Sequence, residues 1–365
     1  MIIAEIISFL ESIAAPGLQE SYDNSGLLLG KESWDCSGVL VSLDTTQDVV
    51  AEAVKKKCNL IISHHPVIFS GLKKIKGNNW LEQTVITAIK QDIAVYAIHT
   101  NLDNVLHGVN SGIADKLGLI NRRVLAPRAG TMEKIFVYVP LGHAEAVRNA
   151  IFMAGAGHIG NYSECSFSAE GVGTFKAEDG AHPFAGKPGI RHSEPEFRIE
   201  VVFPKAKRKQ ILESMIKAHP YEEVAYDIIS LANPEPEIGS GMIAELAEPT
   251  SETRFLDLLK AVFNIPAIRH SPLTGRMLRK IALCGGAGSF LIPNAIDAGA
   301  DFYITADLKY HEFFQADGRL VLADIGHFES EQFTVDLLID ILSKKYPTFA
   351  VQKSTGTTNP VHYFL

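Results

Sequence analysis

The sequence predicts an α/β protein: a discontinuous three-layer α/β domain interrupted by an inserted ferredoxin-like α+β domain. Three observations lead there. Apolar, β-rich runs alternate with helical patterns from Val39 to about Gly118, and the same alternation returns from Lys280. Between them, from about Arg128 to Ala232, the elements follow a β-α-β-β-α-β order. On this reading residues 1–127 and 233–365 form one domain and residues 128–232 the insertion. A chain of 365 residues has room for two domains of ~100–200 residues each.

The elements are justified in order. Met1 to Gln19 is apolar but carries Glu5 and Glu11, and without a basic leader it reads as an amphipathic helix, not a signal peptide. Val39–Leu43 is a strand, and Asp44-Thr-Thr caps a helix running to about Lys57. Leu60–Ile62 is a second strand, Trp80–Gln91 a helix, Ile93–Ile98 a third strand, and Gly108–Lys116 a helix that stops at Gly118. Near-continuous apolar strands of this kind belong in a parallel sheet covered on both faces. In the insertion, Lys134–Val139, Gly171–Phe175, Phe197–Phe203 and Glu223–Ile229 read as strands. His143–Met153 and Lys205–Ala218 read as helices, and Gly180–Glu196, rich in Gly, Pro and charge, as a loop. Beyond it, Ile281–Cys284, Asp301–Ile304 and Arg319–Ala323 are strands. Ile292–Ala298 and Glu329–Lys345 are helices.

Composition excludes several classes. The chain is 46% hydrophobic and 21% charged, which is ordinary for a globular protein. No apolar run reaches the ~18 residues needed to span a bilayer. The net charge of −8 provides no global field for nucleic acid or anionic lipid, so neither is an expected partner. Four scattered cysteines, with no CxxC spacing, suggest free thiols in a reducing cytoplasm.

The chemistry sits at strand ends, where α/β sheets build their sites. Ser63-His64-His65-Pro66 follows the second strand, and Pro66 keeps the turn extended. His99-Thr-Asn-Leu-Asp103 follows the third; Asp103 reads as a ligand, since carboxylates suit hard or borderline cations, and His99 as a supporting group. Asp324-Ile-Gly-His327-Phe-Glu-Ser-Glu331 follows a strand of the distant half, and at i,i+4 on a helix His327 and Glu331 share a face. His64, His65, Asp103, His327 and Glu331 then make five ligands. One tetrahedral zinc needs four; five, with a carboxylate able to bridge, fit two divalent ions, zinc first, with iron or manganese as alternatives. Asp307 and His311, also four apart, are candidate supporting or acid–base groups. Gly285-Gly-Ala-Gly-Ser289 is either an oxyanion-binding turn or a packing turn.

The chain resembles the Nif-three-like dinuclear metal-centre family, the GTP cyclohydrolase 1 type 2 homologues. The resemblance is carried by Asp23-Asn-Ser-Gly-Leu27, Ser63–Pro66, His99–Asp103, Gly285–Ser289 and Gly326–Glu331, and it covers nearly the whole chain. It implies the same five ligands, an insertion similar to the PII and CutA proteins, and a toroidal homohexamer.

The expected function is metal-dependent hydrolysis, in which two ions lower the pKa of a water to give a nucleophile at neutral pH. The resemblance implies a nucleotide-type substrate, with GTP ring opening or phosphoester cleavage as the reaction. The alternative is a non-enzymatic hexameric sensor, regulatory scaffold or metal store.

Overall fold

The computed structural model describes residues 1–364, which divide into two compact units, 1–127 with 236–364, and Arg128–Glu235. In chain order the first stretch contains α1 (Ile3–Ile13), β1 (Gly26–Leu29), β2 (Val39–Ser42), α2 (Gln47–Lys55), β3 (Leu60–Ser63) and α3 (Trp80–Lys90). It continues with β4 (Ala94–Ala97), α4 (Thr100–Asp103), α5 (Val109–Lys116) and β5 (Ile120–Ala129). The second unit contains β6 (Met132–Pro140), α6 (Ala144–Met153), β7 (Phe167–Lys176), β8 (Arg191–Pro204), α7 (Arg208–Ala218) and β9 (Tyr226–Ser230). The chain then runs through β10 (Pro234–Ser251), α8 (Glu252–Phe263), β11 (Arg269–His270), β12 (Met277–Ala287), α9 (Ile292–Asp297) and β13 (Phe302–Ala306). It closes with β14 (Val321–Asp324), α10 (His327–Glu331), α11 (Thr334–Lys345) and β15 (Val351–Lys353).

The first unit holds two sheets, ordered β1-β4-β3-β2-β15 and β11-β14-β13-β12-β10-β5. The central ladders are parallel: β15 with β2, β2 with β3, β3 with β4, β12 with β13 and β13 with β14. Alternation along each strand sorts side chains to opposite faces. Val39, Val41, Leu60 and Ile62 enter one core with Ile281, Leu283, Ile304 and Ala323 of the other sheet. Helices α1, α5, α8 and α11 fill that core, Leu10, Ile113, Phe255 and Leu338 among their buried residues. The outer face of the first sheet (Leu40, Ile61, Val95) packs on Val49, Val50 and Ala88 of α2 and α3. The outer face of the second (Ala282, Tyr303, Leu322) packs on Ile292 and Ala295 of α9. Each sheet is thus the middle of a three-layer sandwich, and the two share the inner helices.

The second unit is one antiparallel sheet, β7-β8-β6-β9, with α6 and α7 packed on Ile135, Val137, Ile199 and Val201. Its β-α-β-β-α-β order and neighbour pairing are those of a ferredoxin-like fold. The segment Gly180–Glu196 is only partly loop. From Arg191 it is strand, because β7 and β8 pair without a break from Lys176↔Arg191 to Phe167↔Glu200. Composition alone hides this, since the hairpin arms take polar residues on an open face. The helix expected over Glu329–Lys345 is two helices, α10 and α11, parted at Gln332–Phe333; there the Gln332 side-chain Nε2 donates to the Glu329 carbonyl at 3.0 Å.

Candidate metal centre

Strand ends from both sheets of the first unit build one polar cluster. Past β3, the amides of His64 and His65 still bond the Ser42 and Leu43 carbonyls at 3.3 and 2.9 Å, so both histidines are held by the sheet. Past β4, the Ile98 amide bonds Ser63 O at 2.9 Å, and His99 leads into α4, which ends at Asp103. Past β14, Gly326 turns the chain at φ 89°, a left-handed value that favours glycine, and α10 begins at His327. One helical turn then carries Glu331 beside His327.

Four imidazoles are oriented the same way. His64 Nδ1 donates to the Ile98 carbonyl at 2.9 Å. His65 Nδ1 donates to Asp44 Oδ1, His99 Nδ1 to Asp23 Oδ1 and His327 Nδ1 to Asp307 Oδ2, each at 2.7 Å. With every Nδ1 engaged by an acceptor, Nε2 is the nitrogen left to bind a cation, and the partner raises its basicity. Asp23 is itself held by the Thr100 amide at 3.1 Å and the Ser25 hydroxyl at 2.8 Å.

The Nε2 atoms meet two carboxylates. Glu331 Oε2 lies 2.9 Å from His65 Nε2 and 3.1 Å from His327 Nε2, and the two imidazole nitrogens stand 3.4 Å apart. On the other side, His64 Nε2 is 3.6 Å from Asp103 Oδ1 and 3.8 Å from Glu331 Oε1. Two donors on one tetrahedral zinc, with bonds of ~2.0–2.1 Å, lie about 3.3–3.4 Å apart, so these spacings suit a shared ion. His64 Nε2 and Asp103 Oδ1 are buried and have no hydrogen-bond partner among the described residues. Among the described residues, two groups have donor atoms close enough together to hold a metal ion: His64, His65 and His99, and His65, His327 and Glu331. The backbone leaves room for them, because a Cβ at Gly286 would run into Glu331 Oε1. The donor set of imidazole and carboxylate therefore fits a divalent cation.

The charges support each other. Burial alone would raise the Glu331 carboxyl, but hydrogen bonds from His327 and His65, with the His64 imidazole close by, outweigh it and hold it well below the usual carboxylate range. The Asp103 carboxyl goes the other way, raised by burial and then by the Glu331 charge. Burial would lower His65, yet Asp44 and Glu331 push it up to about 10; for His327, Glu331 and Asp307 push it up to about 9. His65 and His327 thus face acceptors that demand a positive charge, from a proton or from a metal.

All five sequence-predicted ligands meet at this cluster, and His99 joins them there: its ring lies 5.2 Å from that of His64 and 5.3 Å from that of His65. Asp307 is the partner of His327. His311 is not part of the site; its ring contacts Tyr310 and Phe314. Although four apart, Asp307 and His311 are not on one helix, because Asp307 is left-handed at φ 58° and the following helical turn starts only at Tyr310. Gly285–Ser289 is a packing turn, not an oxyanion turn. The amides of Gly285, Gly286 and Gly288 already donate to Asn110, Ser330 and Thr305 at 3.0, 2.9 and 2.9 Å. Asp44, expected only as a helix cap, and Asp23 are the residues that sequence reasoning missed as imidazole partners.

A cleft of about 350 Å³ opens on the cluster, its mouth lined by Tyr22, Phe69 and Phe290, which are 62%, 50% and 58% exposed. Tyr22 and Phe69 stack with centroids 6.4 Å apart. No described helix is long and apolar enough to cross a membrane.

The Duf34/NIF3 (NGG1p interacting factor 3) family model matches residues 1–360. The chain is 38% identical over 359 residues to a GTP cyclohydrolase 1 type 2 homolog of Halalkalibacterium halodurans, covering 96% of both chains. It is 40% identical over 326 residues to one of Bacillus subtilis, covering 89% of this chain and 87% of that one. A Bacillus cereus structure described as related to NIF3 superposes with a TM-score of 0.86 at 38% identity, over 100% of this chain and 99% of that chain.

Proposed function

This chain belongs to the Duf34/NIF3 family, and from that premise we propose that it is a metal-dependent hydrolase with a dinuclear centre acting on a nucleotide-type substrate. The single observation that carries the metal reading is the convergence of oriented Nε2 atoms on the two oxygens of Glu331, with Oε2 facing His65 and His327 and Oε1 facing His64. One carboxylate addressing two groups of imidazoles is the arrangement a bridging ligand requires. His65, His327 and Glu331 would hold one ion; His64, Asp103 and Glu331, with His99 alongside, the other. When bound, such ions supply Lewis acidity and activate water at neutral pH.

The chain's own residues do the rest. Asp44, Asp307 and Asp23 fix the imidazole tautomers and keep the rings from rotating away. The Tyr22–Phe69 pair and Phe290 offer apolar edges at the mouth of the cleft, suited to stacking on a planar base. The names of the relatives make GTP the first substrate to try, with attack at purine C8 and opening of the imidazole ring; phosphoester hydrolysis would use the same activated water.

The test is turnover of a panel of nucleotides and phosphoesters by purified full-length protein. Activity should disappear on chelation and return with Zn²⁺, Mn²⁺ or Fe²⁺. If metal-replete protein turns over none of them, the hydrolase reading fails and a sensor or scaffold role replaces it.

A further inference from the structure

We propose that the second unit carries its own ligand site, a pocket for a small organic cation with N–H donors, an alkylammonium or guanidinium group, with Glu196 as counter-ion. The pocket is a cavity of about 470 Å³, within the range of small-molecule sites. Three rings wall it: Phe175 and Phe184 each stand 6.1 Å from Tyr221, centroid to centroid. Glu196, only 7% exposed, lies at its base, where its Oε1 accepts the Tyr221 hydroxyl at 2.8 Å. Its Oε2 sits over Gly173, where any Cβ would collide with it, so the glycine clears the space that the carboxylate needs.

The site is built in advance of a ligand. His219 Nε2 donates to the Tyr138 carbonyl at 2.9 Å, and its Nδ1 accepts the Tyr221 amide at 3.1 Å. Tyr221 is therefore pinned at both ends, by its backbone and by its hydroxyl. The loop bearing Phe184 is tied down where the His182 amide donates to Glu222 at 2.8 Å. Ordering of this kind lowers the entropic cost of binding.

The lining chooses the charge. Glu178, Glu196, Glu222 and Glu223 face a single cation, Lys176, which is paired with Glu178 at 3.9 Å. An anion would meet net repulsion. A neutral apolar guest would leave a nearly buried carboxylate facing hydrocarbon. Aromatic faces attract a desolvated organic cation through their quadrupoles, and the carboxylate asks for an N–H donor. Of the four carboxylates only Glu196 is buried among the rings, while Glu178, Glu222 and Glu223 are exposed, so the ring-walled part of the pocket offers too few oxygens for a bare metal ion.

The test is titration of the full-length protein with n-butylammonium, n-butylguanidinium and 1-butanol, followed by calorimetry and ligand-observed NMR. Both cations should bind saturably and the alcohol should not. Binding should survive chelation, because every lining residue belongs to the second unit. Glu196→Gln keeps an acceptor for Tyr221 but loses the charge, and should weaken binding about tenfold or more. Phe184→Ala, on the exposed loop and away from the sheet, should weaken it several-fold, and it decides the matter alone should the first variant fold poorly. No saturable binding, equal binding of 1-butanol, loss on chelation, or an unchanged affinity in the variants would each overturn the proposal.

Discussion

Nε2 of His64 and Oδ1 of Asp103 face each other 3.6 Å apart, both buried, and neither has a hydrogen-bond partner among the described residues. A buried polar atom left unpaired costs roughly 1–3 kcal/mol. A cation between them removes that cost for both. Chelation should therefore lower the melting temperature of the protein, and readdition of Zn²⁺ or Mn²⁺ should restore it, since the ion binds the native state. His64→Ala should shrink the metal-dependent part of the shift. A melting temperature indifferent to chelator in the wild type would count against this.

The carboxylates behind the imidazoles have a separable role. Asp44→Asn and Asp307→Asn leave the ligands in place but weaken the hold on the Nδ1 protons of His65 and His327. Metal affinity should fall by roughly 10–100-fold in each, measured by competition with a chromogenic chelator. Unaltered affinity in both would show that ring orientation is set elsewhere.

Much of this centre is legible in the sequence, and the reason is topological. His64, His65, Asp103, His327 and Glu331 all follow runs that read as buried strands, and parallel strands deliver their carboxyl ends to one edge. What hides is the pairing between distant segments. Asp23 reaches His99 across 76 residues, and Asp44 looks like a helix cap although Thr46 performs that task, its side chain accepting the Val49 amide. Gly285–Ser289 carries an anion-turn composition, yet Asn110, Ser330 and Thr305 consume its amides. Only the tertiary fold supplies those acceptors. Likewise, apolar periodicity reveals that strands exist but not that they divide between two sheets sharing a helical layer.

Proton competition should be visible. In metal-free protein the imidazoles of His65 and His327 are raised from their ordinary value of 6.5 to about 10 and about 9. Metal uptake near neutral pH should therefore release protons, and affinity should fall as pH falls. The folded metal-free state holds protons that the unfolded chain gives up above about pH 6.5. Its stability from these groups is full below that pH and is lost as pH rises through about 9 to 10. Metal-loaded protein should lack this decline. Parallel melting curves against pH, with and without chelator, make the comparison; identical profiles would contradict it.

Gly286 tests the packing around the bridge. It sits at φ 63°, and a side chain there would strike Glu331 and crowd His327. Gly286→Ala should destabilise the protein by about 1–3 kcal/mol and lower metal content together with it. Denaturant unfolding and elemental analysis on the same preparation should move in step. A stable variant with full metal would mean that Glu331 has more freedom than the geometry allows.

The most direct measurement is elemental analysis of wild-type and Glu331→Gln protein, each confirmed folded by circular dichroism. Glu331 faces both groups of imidazoles, Oε1 toward His64 and Oε2 toward His65 and His327. A shared bridge predicts about two divalent ions per wild-type chain and close to none in the variant. Equal metal content in the two proteins, or a wild-type chain that takes up no divalent ion, would contradict the account.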